Sequence, residues 1–399
     1  MKKEKNEVKI EPSIEIVELT VSPNISHIII VGDIHAGMYS NSYEKHGTLL
    51  EFFDEILIKT IKTLQDAGNE VCVIFEGDMF DIKQQVSTVI QNSLIDKIET
   101  IGGMCETIVN VGNHDMPIAS NPNINSVKFA RYMKGVTLAD VPTYANISGY
   151  KICVVPYTNT KEKEKEILTA IYEKYGKINL ALHTEIAGFH YEGVPVDESK
   201  HNSIEDFSMF AEVFSGHIHK RQLKANITFT GTPYHIRQNE SGNEVGITIK
   251  HIKTGETEFI ENKLSPRYIV VDYSYFEDLE EADKISLISN NYLTLMLPYA
   301  VTKPIDKRLV LELYSKYTRT ISFSSRIPKT FNLSNTIDTK GIDKAMNSIS
   351  TRDILTSYFK NTMTFKVNKH EYVIQEEAKR DELRNKILTS YENYKHLEE

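Results

Sequence analysis

The 399-residue sequence predicts an α/β fold with α+β character: two sheets packed as a sandwich and flanked by helices, then a small α/β domain and C-terminal helices. Three observations predict it. From His27 to about Asn262, short β-branched runs alternate with longer amphipathic stretches. After Glu212 the helical patterns stop and only strand-like runs remain. Beyond Asn262 both patterns resume on a smaller scale, as a separate layered unit would require.

Each element has its own signal. "HIIIV", "VCVIF", "TIVNV", "KICVV" and "INLAL" read as buried strands, each flanked by Gly, Asn or Asp. Between the first two, Thr48 to Gln65 repeats apolar residues every three or four positions, the period of a helix, and Gly68 is its stop signal. Strand, helix, strand in this order implies a largely parallel sheet. "EVFSG", "NITFTG", "EVGITIKHI" and "ETEFIE" then predict short strands of a second sheet. "NKLSPRY", Asn262 to Tyr268, marks a boundary. The predicted organisation is an extension over 1–26, a main domain over 27–262, a small domain over 263–329, a polar linker over 330–339 and a helical region over 340–399. In the last, Leu383, Ile387, Tyr391 and Tyr394 form one apolar stripe.

Composition excludes some classes. With 40% hydrophobic and 25% charged residues, the chain has the make-up of a soluble globular protein. No apolar run approaches the roughly 20 residues needed to cross a bilayer. "MKKEKNEVKIEPS" lacks the apolar core of a secretory signal, so a cytoplasmic location is expected. Cys72, Cys105 and Cys153 fall in or near apolar runs and read as reduced core residues. A net charge of −9 argues against a generally sticky nucleic-acid binder but leaves room for a local basic groove.

The chemistry lies where strands end. "GDIH" gives Asp33 and His35; "EGDMFD" gives Asp78 and Asp81; "VGNHD" gives Asn113, His114 and Asp115; "LALHTE" gives His183; "FSGHIH" gives His217 and His219. Every group directly follows an apolar strand-like run, and open α/β sheets build their sites beyond the C-terminal ends of their strands. Several carboxylates and imidazoles brought together without a cation would repel and destabilise the fold. A pair of divalent ions removes that cost, since carboxylate oxygen and imidazole nitrogen suit manganese, iron or zinc. Asp78, a lone carboxylate in a Gly-Asp turn, is the natural bridge. Cysteine is absent from the set, which disfavours a thiolate zinc site.

This series of motifs, in this order, resembles the calcineurin-like metallophosphoesterases. The resemblance implies their two-sheet metallophosphoesterase sandwich and two bound metals, manganese foremost, with magnesium, iron and zinc as alternatives. Asp33, His35, Asp78 and His219 would hold the first metal, and Asp78, Asn113, His183 and His217 the second. Two such ions lower the pKa of a shared water and direct hydroxide at phosphorus. His114 would act on the leaving oxygen, with Asp115 orienting its ring, and Asp81 could reach the same pocket.

A finer resemblance is to the SbcD-type DNA repair nucleases, and within them to the recombination nuclease subunits of T4-like bacteriophages. "GDMFDIKQ", "GNHDMPIASNPNINS", "GHIHKRQ", "GTPYHIRQNESGNEVGI" and "HTEIAGFHYEG" carry it, and it is good over roughly Ile28 to Glu261. It implies a manganese-dependent exonuclease and endonuclease acting on double-stranded ends, hairpins and single strands in DNA repair and recombination. The small domain would cap the site and select DNA. The C-terminal helices would grip an SMC-like coiled-coil ATPase of SbcC type, in a homodimer within a heterotetramer, located in the host cytoplasm if the chain is phage-encoded. Lys220, Arg221 and Arg237 are candidate phosphate contacts, and His46, His190 and His235 lie in sequence near the motifs. Two other classes stay open: a stand-alone phosphatase or phosphodiesterase, and a non-catalytic scaffold whose metals are structural.

Overall fold

A computed structural model describes residues 14–81, 85–118, 121, 123–191, 193–297 and 305–325, with short strands at Thr364–Val367 and His370–Val373. The chain divides into two units, Met1–Arg326 and Ile327–Glu399.

Two sheets frame the first unit. One has six strands in the order Thr257–Glu261, Gly246–His251, Ile25–Val31, Glu70–Phe75, Glu106–Asn110 and Val136–Ala139. The last four run parallel, and the Gly246–Glu261 hairpin adds antiparallel at one edge. The other has seven, in the order Val17–Leu19, Thr143–Ile147, Tyr150–Val155, Asn179–His183, Val213–Gly216, Ile227–Phe229 and Gln222–Lys224.

The expected strands are present, but they are shared out differently from their order in the chain. The first three enter the six-stranded sheet, whereas Tyr150–Val155 and Asn179–His183 enter the other. Strands after Glu212 do not make a sheet of their own: Val213–Gly216 pairs with Asn179–His183, while Gly246–His251 returns to Ile25–Val31. Such pairings are decided by which faces can be buried together, and no local pattern records them. The expected N-terminal extension supplies an edge strand, Val17–Leu19, parallel to Thr143–Ala145.

Alternation along the strands builds the layers. Ile28, Ile30, Cys72, Ile74 and Ile108 meet Ala145, Ile152, Val154, Ala181 and Phe214 between the sheets. Their neighbours Ile29, Val31, Val73, Phe75 and Val109 turn outward onto Phe52, Phe53, Leu57, Leu94 and Ile98. On the far side, Leu180 and Leu182 take Ile167, Leu168 and Ile171 of the helix Lys161–Tyr175. Burial on both faces is why these strands read as unbroken apolar runs. The helix expected over 48–65 forms, starting earlier at Tyr43 behind the cap Ser42 and passing through a π-helical stretch, Phe52–Ile58. The adjacent rings of Phe52 and Phe53 are both buried there.

Past Asn262, three parallel strands, Tyr268–Asp272, Tyr292–Leu297 and Thr320–Ser325, carry the helices Tyr273–Asp278, Glu281–Ile288 and Lys307–Tyr314. Phe276, Ile288, Leu293, Leu295, Val310 and Tyr314 form their core. In the second unit the described residues are an antiparallel pair, Thr364–Val367 with His370–Val373. The linker 330–339 and the apolar stripe from Leu383 to Tyr394 lie outside the described residues. Among the described residues no helix is long and apolar enough to cross a membrane.

Candidate metal centre

Both sheets deliver side chains to one place. Asp33 and His35 follow Ile25–Val31, Asp78 follows Glu70–Phe75, and Asn113 follows Glu106–Asn110. From the other sheet, His183 ends its strand and His217 follows Val213–Gly216. Ligand atoms of Asp33, His35 and Asp78 lie within 4.8 Å of one another, as do those of Asp78, His183 and His217. His219 joins the first group, its Nε2 3.1 Å from His35 Nε2. Asn113 joins the second, its Oδ1 3.0 Å from His183 Nε2 and 2.9 Å from His217 Nδ1. Asp78 Oδ2 stands between the groups, 3.6 Å from His35 Nε2 and 3.3 Å from His183 Nε2. All seven expected ligand positions therefore converge, with Asp78 central.

The donor set fits two divalent cations. Two donors each about 2.1 Å from a common ion are roughly 3.0 to 3.4 Å apart, from octahedral to tetrahedral angles. His183 Nε2 and His217 Nδ1 are 3.2 Å apart, which matches that spacing. On three of the rings the opposite nitrogen is held by oxygen, and on the fourth, His35, it has the Asp81 carboxylate beside it without a hydrogen bond. His183 Nδ1 is 3.1 Å from the Glu76 carbonyl, His217 Nε2 3.0 Å from Glu185 Oε1, His219 Nδ1 2.6 Å from Glu240 Oε1, and His35 Nδ1 3.2 Å from Asp81 Oδ1. Imidazoles that ligate metals are oriented in this way. Three of the seven positions also have left-handed backbone, His35 (φ 48°), Asp78 (49°) and His217 (83°), a conformation costing about 1–3 kcal/mol each and concentrated at functional sites.

Sequence reasoning missed Glu185, Glu240 and Glu76. Glu185 stands two residues after His183, so alternation along "HTE" was an available signal. Glu240 reaches His219 from 21 residues away and had none.

Electrostatics record the same closeness. Burial opposes a charge on His183, but the Asp78 and Asp33 carboxylates outweigh it and raise the imidazole to about 10. Burial likewise opposes ionisation of Asp78, yet the His183 and His35 rings hold it far below the usual carboxylate range. Glu185 is drawn down to about 2 because His217 outweighs its desolvation. In the metal-free protein a proton on His183 occupies the place of a cation, so metal uptake must displace it.

The three outer residues separate. His114 lines the cavity, and its Nδ1 donates to the Asp81 backbone carbonyl at 2.7 Å. Asp115 does not orient that ring, contrary to expectation. Its buried carboxylate accepts from the Gly112 N–H at 3.0 Å and the Phe80 N–H at 3.2 Å, tying two motif loops together. Asp81 acts on both histidines, through its carboxylate on His35 and its carbonyl on His114. Packing of these loops is close: a Cβ on Gly112 would fall 2.2 Å from Asp78 Oδ1.

A cavity of about 370 Å³ opens over the centre, lined by Asp78, His114, Tyr191, His217, His219, Arg237 and Asn239. Arg237 is half-exposed there, 3.5 Å from Asp81. Arg221 is spent elsewhere: it donates to Thr248 Oγ1 at 2.8 Å and lies over the Phe259 ring. His46 and His235 are buried, and neither they nor His190 line the cavity.

Comparison with known proteins agrees with this geometry. Residues 26–221 match the calcineurin-like phosphoesterase family. Exonuclease subunit 1 of Enterobacteria phage T4 is 27% identical over 281 residues, 66% of this chain and 78% of that protein. Putative phosphoesterase 244L of Invertebrate iridescent virus 6 is 24% identical over 212 residues, 51% of this chain and 69% of its own length. The motif order, the two-sheet frame that gathers the motifs and the family match lead to one conclusion: this chain carries a calcineurin-like metallophosphoesterase domain.

Proposed function

We propose that the chain is a manganese-dependent DNA nuclease, with exonuclease and endonuclease action, that works with an SMC-like coiled-coil ATPase in DNA end processing, recombination and repair. The observation that carries it is the likeness to an exonuclease subunit, whose 281 aligned residues reach beyond the family segment 26–221. On this reading the domain over 263–329 caps the site, the region over 340–399 binds the ATPase, and two copies form the core of a heterotetramer.

Asp33, His35, Asp78 and His219 would hold one ion, and Asp78, Asn113, His183 and His217 the other. Bound divalent ions would supply Lewis acidity and an activated water. The residues of the chain do the rest. His114 Nδ1 is committed to the Asp81 carbonyl, so Nε2 is the atom free to pass a proton to the leaving oxygen. Arg237, at the cavity wall, would meet a phosphate and neutralise charge on it. A stand-alone phosphoesterase is the second reading, favoured by the name of the iridescent-virus relative.

The test compares linear DNA, a DNA hairpin and p-nitrophenyl phosphate, each with Mn²⁺ and with chelator, using the chain alone and with its ATPase partner. Cleavage of DNA that chelator abolishes is expected. Turnover of the monoester without any DNA cleavage would establish the second reading instead.

A further inference from the structure

The loop Ile236–Glu240 lies between the metal centre and the domain that begins at Tyr268. Glu240 is buried, and its two carboxylate oxygens are both used: Oε1 on His219 Nδ1 at 2.6 Å, and Oε2 accepting from the Ile236 N–H at 2.7 Å. The carbonyl of that same Ile236 accepts from the Tyr268 hydroxyl at 3.2 Å. Tyr268 is the first residue of the first strand of the smaller domain. Its hydroxyl oxygen accepts from Lys45 Nζ at 2.6 Å, and Tyr39 Oη lies 3.1 Å away. A second bond from the loop to that domain runs from Gln238 Nε2 to Thr294 Oγ1 at 2.8 Å.

Lys45 is unusual in its setting. It is buried, and its ammonium sits 3.3 Å from the centre of the Tyr292 ring and 4.5 Å from that of Tyr268, which stack on each other. Removal from water strengthens the attraction of an ammonium to the face of an aromatic ring. Lys45 belongs to the helix Tyr43–Glu51 of the main domain, whereas both rings belong to the smaller one. The neighbouring Glu44 reinforces the seam by accepting from Tyr292 Oη at 2.7 Å, with Arg319 3.4 Å away.

We infer that Lys45 and Tyr268 are positioning residues for the metal centre: they seat the 268–325 domain on the Ile236 carbonyl, and through Glu240 that seating sets the His219 imidazole. The inference rests on the metal reading above. Tyr39 Oη is a second acceptor within reach of the Tyr268 hydroxyl, but Glu240 is buried with one carboxylate oxygen on each neighbour, so a shift of the Ile236 peptide is passed along the loop to His219. The smaller domain thereby acts on the chemistry without touching the reacting atoms.

The test uses the full chain and Tyr268→Phe, which removes the hydroxyl and keeps the ring. Mn²⁺ titration is expected to show one of the two ions weakened by about 3- to 10-fold, less than the 10- to 100-fold expected of Glu240→Gln, a direct partner of His219. The pair combined should be no weaker than Glu240→Gln alone, because both act through one path. In the metal-free protein, the downfield ring N–H resonance of His219 should broaden or shift in Tyr268→Phe. Lys45→Met reaches the same hydroxyl from the other side and supplies an independent reading if Tyr268→Phe folds poorly. Unchanged affinity and resonance in both variants, or additive losses with Glu240→Gln, would overturn the inference alone. An unmodified chain that takes up no Mn²⁺ would overturn the metal reading and this one together.

Discussion

His114 and Asp81 are joined across two motif loops, the ring Nδ1 donating to the backbone carbonyl at 2.7 Å. A carbonyl can only accept, so the tautomer is settled and Nε2 faces the cavity as the exchangeable position. The bond depends on no side chain at position 81. His114→Ala should therefore leave the metals and the fold in place while hydrolysis falls by about 10²- to 10⁴-fold. Metal stoichiometry and single-turnover rates on one preparation check this, and an unchanged rate would count decisively against the assigned role.

Asp115 should behave differently although it is the next residue. Its carboxylate satisfies two buried N–H groups, those of Gly112 and Phe80, and Ser126 Oγ is 3.4 Å away. Removing the acceptor strands each donor at about 1–3 kcal/mol. Asp115→Ala is expected to lower the melting temperature of the metal-free protein substantially. A variant as stable as the parent yet inactive would restore the ring-orienting role that the sequence suggests.

Glu185→Gln tests the metal centre from outside. The carboxylate lies 3.0 Å from His217 Nε2 and also accepts from Tyr191 Oη at 3.0 Å. Glutamine keeps the shape and loses the charge that makes His217 a stronger ligand. Metal affinity should weaken about 10- to 100-fold, and the metal-free chain should also melt lower at neutral pH, because the ionised carboxylate that His217 stabilises is lost. Equal Mn²⁺ binding by the two proteins would show that His217 does not ligate.

How much of this was legible in the sequence depends on distance along the chain. Asp33 and His35, or His217 and His219, are two residues apart, and each pair announces itself just past an apolar strand-like run. That such pairs converge follows from parallel strands ending at one edge. What no pattern carried was the partner sheet of each strand: Gly246–His251 and Val213–Gly216 both read only as short strands, and they go to different sheets. Nor could Asp115 be read correctly. Sequence adjacency to His114 suggested a shared task, whereas the chain between Asn113 and Met116 turns and sends the two side chains to different partners. Glu240 was invisible for the same reason that it matters, being brought to His219 by tertiary packing alone.

Glu164 gives a prediction in pH. It sits on the helix Lys161–Tyr175, almost wholly buried, accepting from Asn202 Nδ2 at 2.6 Å. Burial pushes its carboxyl up to about 7, only partly offset by the Thr184 and Asn202 side chains. In the unfolded chain it titrates near 4.5. Between those two values the folded state holds a proton that the unfolded state has lost, so this residue's contribution to stability falls as pH rises through the window and is level above it. Glu164→Gln keeps the acceptor for Asn202 and cannot ionise. Its unfolding free energy from urea titration should match the parent near pH 4 and exceed it increasingly up to pH 7, by at most about 3 kcal/mol. The difference between the two chains isolates this group, since every other titration is common to both. A gap that is constant with pH would mean that folding leaves this carboxyl unshifted, and one that widens toward acid would mean that Glu164 is ionised in the fold and held by a partner.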